Sequence, residues 1–206
     1  MIDRDPEQTA RNETARLEAF SDGVFAIAIT LLIIEIKVPQ VDAQHSLTHA
    51  LLDLWPSYFA YAISFIVIGI MWANHHAMFR DIIRCDHTLI VCNLFLLLSV
   101  SFLPFPTALL AEYLRDGTHQ DVATAAYGAS MTVTAVAFGF LWFYPVLRGG
   151  FIDPSVSAAR IRTRSLRFLP GTPLYALTVI LAFVKYELSI AMLAALAFLY
   201  LLPTPE

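Results

Sequence analysis

Charge is scarce in this chain. Only 15% of its 206 residues are Asp, Glu, Lys or Arg, while 58% are hydrophobic, a balance that excludes an ordinary soluble domain. There are two cysteines, Cys85 and Cys92. On one helix they stand about 10 Å apart along the axis, beyond the roughly 7 Å that a bridge tolerates, so both read as free thiols. The net charge of -4 comes with no dense basic cluster, which excludes a nucleic-acid partner. Several motifs are missing as well. The chain has no TVGYG carbonyl filter, no GxxxxGK[ST] phosphate loop, no HExxH and no GxSxG. With no nucleophile or metal constellation, an enzyme is not expected, nor is any cofactor. Internal repeats and low-complexity segments are also lacking.

What the chain has instead is long apolar runs. A helix needs about 20 apolar residues to cross a bilayer, and the pattern predicts six, at about 18–38, 56–79, 87–112, 122–147, 169–185 and 187–203. The expected fold is all-α and polytopic, a single membrane domain over 1–206 with a cytoplasmic segment at 1–17 and a six-helix transmembrane bundle at 18–203. The first run does not read as a cleaved signal peptide, because polar residues precede it and no small-residue cleavage site follows. Pro170 and Pro173 shorten the fifth run, and only Tyr186-Glu187 separates it from the sixth, so a re-entrant pair is the alternative there. Pro104 and Pro106 predict a kink in the third helix. With an even number of spans, Arg4, Arg11, Arg16, Arg80, Arg84, Arg148, Arg160, Arg162, Arg164 and Arg167 face Lys37, Arg115 and Lys185 across the membrane. Ten against three places both termini in the cytoplasm of a cell that carries the protein in its plasma membrane.

The first run opens with polar residues: RLEAFSDGVFAIAITLLIIEIKVP, from Arg16 to Pro39. An ionisable group at the depth of Asp22 calls for a partner or a function. The second helix ends in MWANHHAMFRD, which places Trp72, Asn74, His75 and His76 at a similar depth. A network of Arg16, Ser21 and Asp22 with Trp72, Asn74 and one of the two histidines would clasp the first two helices together. Two other readings stand beside it: Arg16 and Asp22 snorkelling to the interface, or Asp22 and a histidine relaying protons. Metal binding is not expected, because adjacent His75 and His76 point about 100° apart on a helix. His45 and His49 form at most a surface pair.

Further along, Phe20, Gly23, Ile27, Thr30, Leu31 and Ile34 recur at steps of three and four, which puts them on one helix face. That face is either a packing seam or the wall of a pore shared by several copies. In a pore, rings of Ile27, Leu31 and Ile34 form a hydrophobic throat that offers no oxygen ligands, so the most cheaply dehydrated cation, potassium rather than sodium, passes best. The Thr30 hydroxyl either meets the ion or bonds back to Ala26. Glu35 either draws cations to a mouth or pairs loosely with Lys37.

Arg16, Phe20, Ser21 and Asp22 match without a gap the Arg-x-x-x-Phe-Ser-Asp signature of the endolysosomal transmembrane potassium channel family, whose bacterial members the chain resembles. WANHHAMF also resembles the segment that follows in that family. The resemblance implies a homotetrameric channel in membrane lipid with first helices around the pore, potassium as the permeant ion and no re-entrant filter. It implies a constriction at Ile27, with Leu31 and Ile34 along the same stripe and Thr30 adjoining. It implies that Arg16, Ser21 and Asp22 bond to Trp72 and a histidine rather than to the ion. The alternative is a proton-coupled secondary transporter using Asp22 and His75 or His76.

Overall fold

The computed structural model describes residues 6–40 and 46–201. Among these the chain is helical nearly throughout. Helix α1 runs Pro6–Leu31 and tightens into a 3-10 turn over Leu32–Glu35. It starts well before the expected position near 18, so the boundary expected at 17 falls inside a continuous helix. Ala10 to Ala19 is rich in Ala, Arg, Glu and Leu, which are good helix formers, whereas a bilayer-length window detects only the apolar part. The outer loop holds a short helix that hydropathy did not predict, α2 (Leu47–Asp53). There His49 Nδ1 lies 3.1 Å from Asp53 Oδ2 one turn on; His45 lies outside the described residues.

Helix α3 (Trp55–Phe79) matches its expected span to within a residue. The predicted third helix is two helices, α4 (His87–Phe102) and α5 (Pro104–Asp116), joined at Leu103. Pro104 and Pro106 cannot donate to the ladder, so the helix breaks where they fall. Gly117, at φ 73°, ends α5 in the left-handed conformation that suits glycine. Helix α6 (Gln120–Arg148) is followed by α7 (Ala158–Phe168), α8 (Gly171–Val184) and α9 (Tyr186–Leu201). Among the described residues, five helical stretches are long and apolar enough to cross a membrane: Arg11–Glu35, Trp55–Phe79, His87–Asp116, Gln120–Arg148 and Ala158–Val184. The 16-residue α9 is apolar but shorter than these.

Packing follows the apolar faces. Phe25 and Ala28 of α1 and Leu32 of the turn that continues it are buried, at helical spacing, where α1 contacts α3 and α4. Helices α6 and α8 approach closely at Gly128, where an added Cβ would come within 2.5 Å of Thr178 Oγ1. A hydroxyl chain ties α3, α5 and α6. Thr107 Oγ1 donates to Leu103 O at 2.8 Å, so it accepts from Ser64 Oγ at 2.8 Å, and Ser64 in turn accepts from Tyr127 Oη at 3.3 Å.

The N-terminal end of α1, the C-terminal ends of α3, α6 and α9, and α7 share one arginine-rich end of the bundle. The connecting segments there pair through Ile83 N–H to Phe151 O and Asp153 N–H to Asp81 O, each 2.8 Å. Asp81 is buried and is met by Arg164 and, at 3.3 Å, by Arg160. Arg164 also donates to Ala77 O at 2.8 Å, capping carbonyls at the end of α3. Helix α7 lies between the expected helices at 122–147 and 169–185, where no helix was predicted; its arginines are spaced along an amphipathic helix capped by Ser157.

Candidate functional site: the two faces of the first helix

Two pairs at i,i+4 spacing face each other across α1 and α3. Glu18 and Asp22 stand one turn apart on α1, and Trp72 and His76 stand one turn apart on the antiparallel α3. Trp72 Nε1 donates to Asp22 Oδ1 at 2.8 Å, and His76 Nδ1 lies 2.7 Å from Glu18 Oε1. The Trp72 and His76 rings stack at 5.9 Å. Both side chains therefore hold their ring planes while bonding to α1.

A buried relay crosses a third helix. Ser21 Oγ donates to Leu17 O at 2.8 Å and so accepts from Asn93 Nδ2 of α4 at 2.9 Å. That fixes the amide of Asn93, whose Oδ1 faces His75 Nε2 at 2.9 Å. His75 must then donate from Nε2, which assigns its tautomer and leaves Nδ1 an acceptor. Nδ1 has no partner among the described residues. Phe79 stacks on the imidazole at 4.4 Å and Phe25 lies at 5.3 Å.

Of the expected network, Ser21, Asp22 and Trp72 are brought into bonds between helices, and so are both histidines rather than one. Arg16 is exposed on α1 and makes no hydrogen bond or ion pair among the described residues. Asn74 donates to Ile70 O in its own helix at 2.9 Å, because a carbonyl one turn back is its nearest acceptor. Phe20 is exposed on the opposite side of α1. Glu18 and Asn93 were not anticipated as partners. The available signal for Asn93 was its isolation in LIVCNLFLLL, where an amide has to find a partner. For Glu18 it was the one-turn spacing to Asp22.

The other face of α1 is bare. Ile27 is 61% and Ile34 68% exposed, and Phe20, Leu31 and Thr30 are exposed with them. The Thr30 hydroxyl is 2.9 Å from the carbonyls of both Ala26 and Ile27, so it is spent on its own helix. One amphiphilic seam thus anchors α1 to the bundle, while the largely apolar stripe on its other face is left exposed among the described residues.

The helical membrane fold has solved counterparts. Residues 16–104 match the model of the family described as endosomal/lysosomal potassium channel TMEM175. The chain is 50% identical over 189 residues to a protein of Streptomyces collinus named as a potassium channel, covering 92% of each. It also matches the crystal structure of a lysosomal potassium-selective channel TMEM175 homologue from Chamaesiphon minutus, with TM-score 0.83 and 40% identity, over 92% of this chain and 96% of that one. Endosomal/lysosomal proton channel TMEM175 of Gallus gallus is 32% identical over 136 residues, 62% of this chain and 27% of that protein. The chain belongs to the TMEM175 family of ion channels.

Proposed function

We propose that the chain is a subunit of a potassium-preferring cation channel in a bacterial plasma membrane, in which four copies place their α1 stripes around a common axis. The observation that carries this reading is the bare face of α1: Ile27, Leu31 and Ile34 project from a helix whose other face is fully engaged. Residues turned outward at that spacing suit a hydrophobic throat with Ile27 at its narrowest point. Such a throat has few oxygens to replace hydration water, so selection follows dehydration cost and favours potassium over sodium. The potassium-channel names of the bacterial relatives support the same ion.

In this reading the Asp22–Trp72, Glu18–His76 and Ser21–Asn93–His75 contacts position α1 and do not touch the ion. Arg16 and Asn74 stand outside that clasp. The arginine-rich end, with both termini, faces the cytoplasm.

A second reading, proton-coupled transport through Asp22 and His75 or His76, draws on the unpartnered His75 Nδ1 and on the proton-channel name of the vertebrate relatives. Single-channel recording of the purified protein in planar bilayers separates the two. Discrete openings, with a reversal potential set by the potassium gradient, support the channel. Saturable pH-driven uptake without openings supports the transporter.

A further inference from the structure

An apolar cavity lies among α3, α6, α8, α9 and the end of α7, lined by side chains such as Met71, Phe138 and Phe168 together with Asn74, Tyr175 and Tyr200. Tyr175 is 8% exposed, and its hydroxyl makes no hydrogen bond among the described residues. A buried phenol ordinarily finds an acceptor. Asn74 uses its amide nitrogen on Ile70 O, and its carbonyl oxygen has no partner among the described residues. Water needs two to four polar partners at one place, and this lining is mostly hydrocarbon.

At the rim, Arg167 Nη2 donates to Tyr200 O at 2.5 Å, Tyr200 Oη donates back to Arg167 O at 3.1 Å, and the guanidinium carbon sits 5.6 Å from the Tyr200 ring centroid. Arg167 has five N–H donors, so the latch with Tyr200 leaves donors for an anion. Gly171 makes room for this ring, since a Cβ there would come within 2.8 Å of Tyr200 Oη.

We propose that this cavity is a phospholipid site, in which the ester end of one acyl chain lies among α3, α6, α8 and α9, an ester carbonyl accepts from the Tyr175 hydroxyl, and the phosphate meets Arg167. The solvent around a membrane-spanning protein is lipid, and this combination of an apolar slot, a buried donor and a cation at the mouth complements the parts of a phospholipid in order. Asn74 is two residues, about 200° of helix, from both Trp72 and His76. The bound chain therefore braces α3 from behind the face that holds α1.

The test is photolabelling of the intact protein in liposomes with phosphatidylglycerol carrying a diazirine on one acyl chain close to its ester, mapped by mass spectrometry. Labels are expected on Met131 and Phe138, which line the cavity, as well as on the lipid-facing Ile180 and Phe183. Ala135→Phe, which fills the cavity, reduces the Met131 and Phe138 labels at least tenfold and leaves Ile180 and Phe183 unchanged. Tyr175→Phe keeps the shape and reduces the cavity labels about threefold, which serves as the readout should Ala135→Phe fail to assemble. Labels confined to Ile180 and Phe183 overturn the proposal, as do cavity labels equal in wild type and both variants. Cavity labelling by a diazirine fatty acid, but not by the phosphatidylglycerol probe, overturns the phospholipid assignment. None of these readouts depends on ion conduction.

Discussion

Trp72 and Asp22, fifty residues apart in sequence, meet through a 2.8 Å bond from the indole N–H to a carboxyl oxygen. This contact sits one turn above the Glu18–His76 pair and turns the polar start of an otherwise apolar helix toward α3. Hydrogen bonds between membrane helices contribute about 0.6 kcal/mol on average and up to about 1.7. Trp72→Phe and Asp22→Asn should each lower thermal stability and the yield of the proposed tetramer, and a double-mutant cycle should give a coupling near the top of that range. Ion preference should persist wherever assembly does. A coupling of zero, with selectivity lost in Asp22→Asn, assigns Asp22 to the ion path.

Asn93 is the centre of the buried relay, so its removal orphans both Ser21 and His75. Asn93→Ala should cost about 1–3 kcal/mol, the penalty for buried polar groups left unpaired, measured by thermal unfolding in detergent. Ser21→Ala removes only an end of the relay and should cost less. Equal costs would mean that Asn93 does not bridge the two helices.

Gly128→Ala places a methyl group against Thr178 Oγ1, which is held by its bond to Tyr175 O at 2.6 Å. Overpacking of this kind costs about 1–3 kcal/mol. The double variant Gly128→Ala, Thr178→Ala should regain part of the loss. No recovery would indicate that α6 and α8 are not in contact at this point.

Asp86 supplies a pH dependence. Burial alone would raise its carboxyl, but the Tyr144 hydroxyl at 2.5 Å, the Leu89 N–H at 2.8 Å and Arg148 outweigh it and hold the group below the ordinary carboxylate value. A depressed folded-state value means that the stabilisation is complete above the unfolded value of about 4 and is lost as pH falls through the folded one. Wild type should lose melting temperature on acidification below about pH 4. Asp86→Asn, which still caps α4, should show a flatter acid limb. Identical limbs remove Asp86 from the account.

Much of this arrangement was legible in the residues. The apolar runs located the helices because lipid leaves a helix few polar positions, although five stretches rather than the expected six reach bilayer length and α9 is shorter, and Pro104 with Pro106 marked the break at Leu103. The pairing of Asp22 with Trp72 followed from two polar clusters at matching depth. Asn93 escaped because its partners come from two other helices, so no local spacing announces it. Asn74 was misplaced for the opposite reason: Ile70 O, four residues back, outcompetes a distant acceptor. Helix α7 was missed since its arginines look like a loop when only apolarity is weighed, although their amphipathic spacing brings Arg164 onto Asp81.

The central claim is that Ile27 side chains from neighbouring protomers form the narrowest part of the ion path. The most direct measurement is the reversal potential of single channels under opposed potassium and sodium solutions, comparing wild type with Ile27→Asn. The variant should conduct more, admit sodium and shift its reversal potential toward zero, because an amide wets the throat and lowers the dehydration cost that separates the ions. Conductance and reversal potential identical to wild type would place Ile27 away from the ion path and contradict the account.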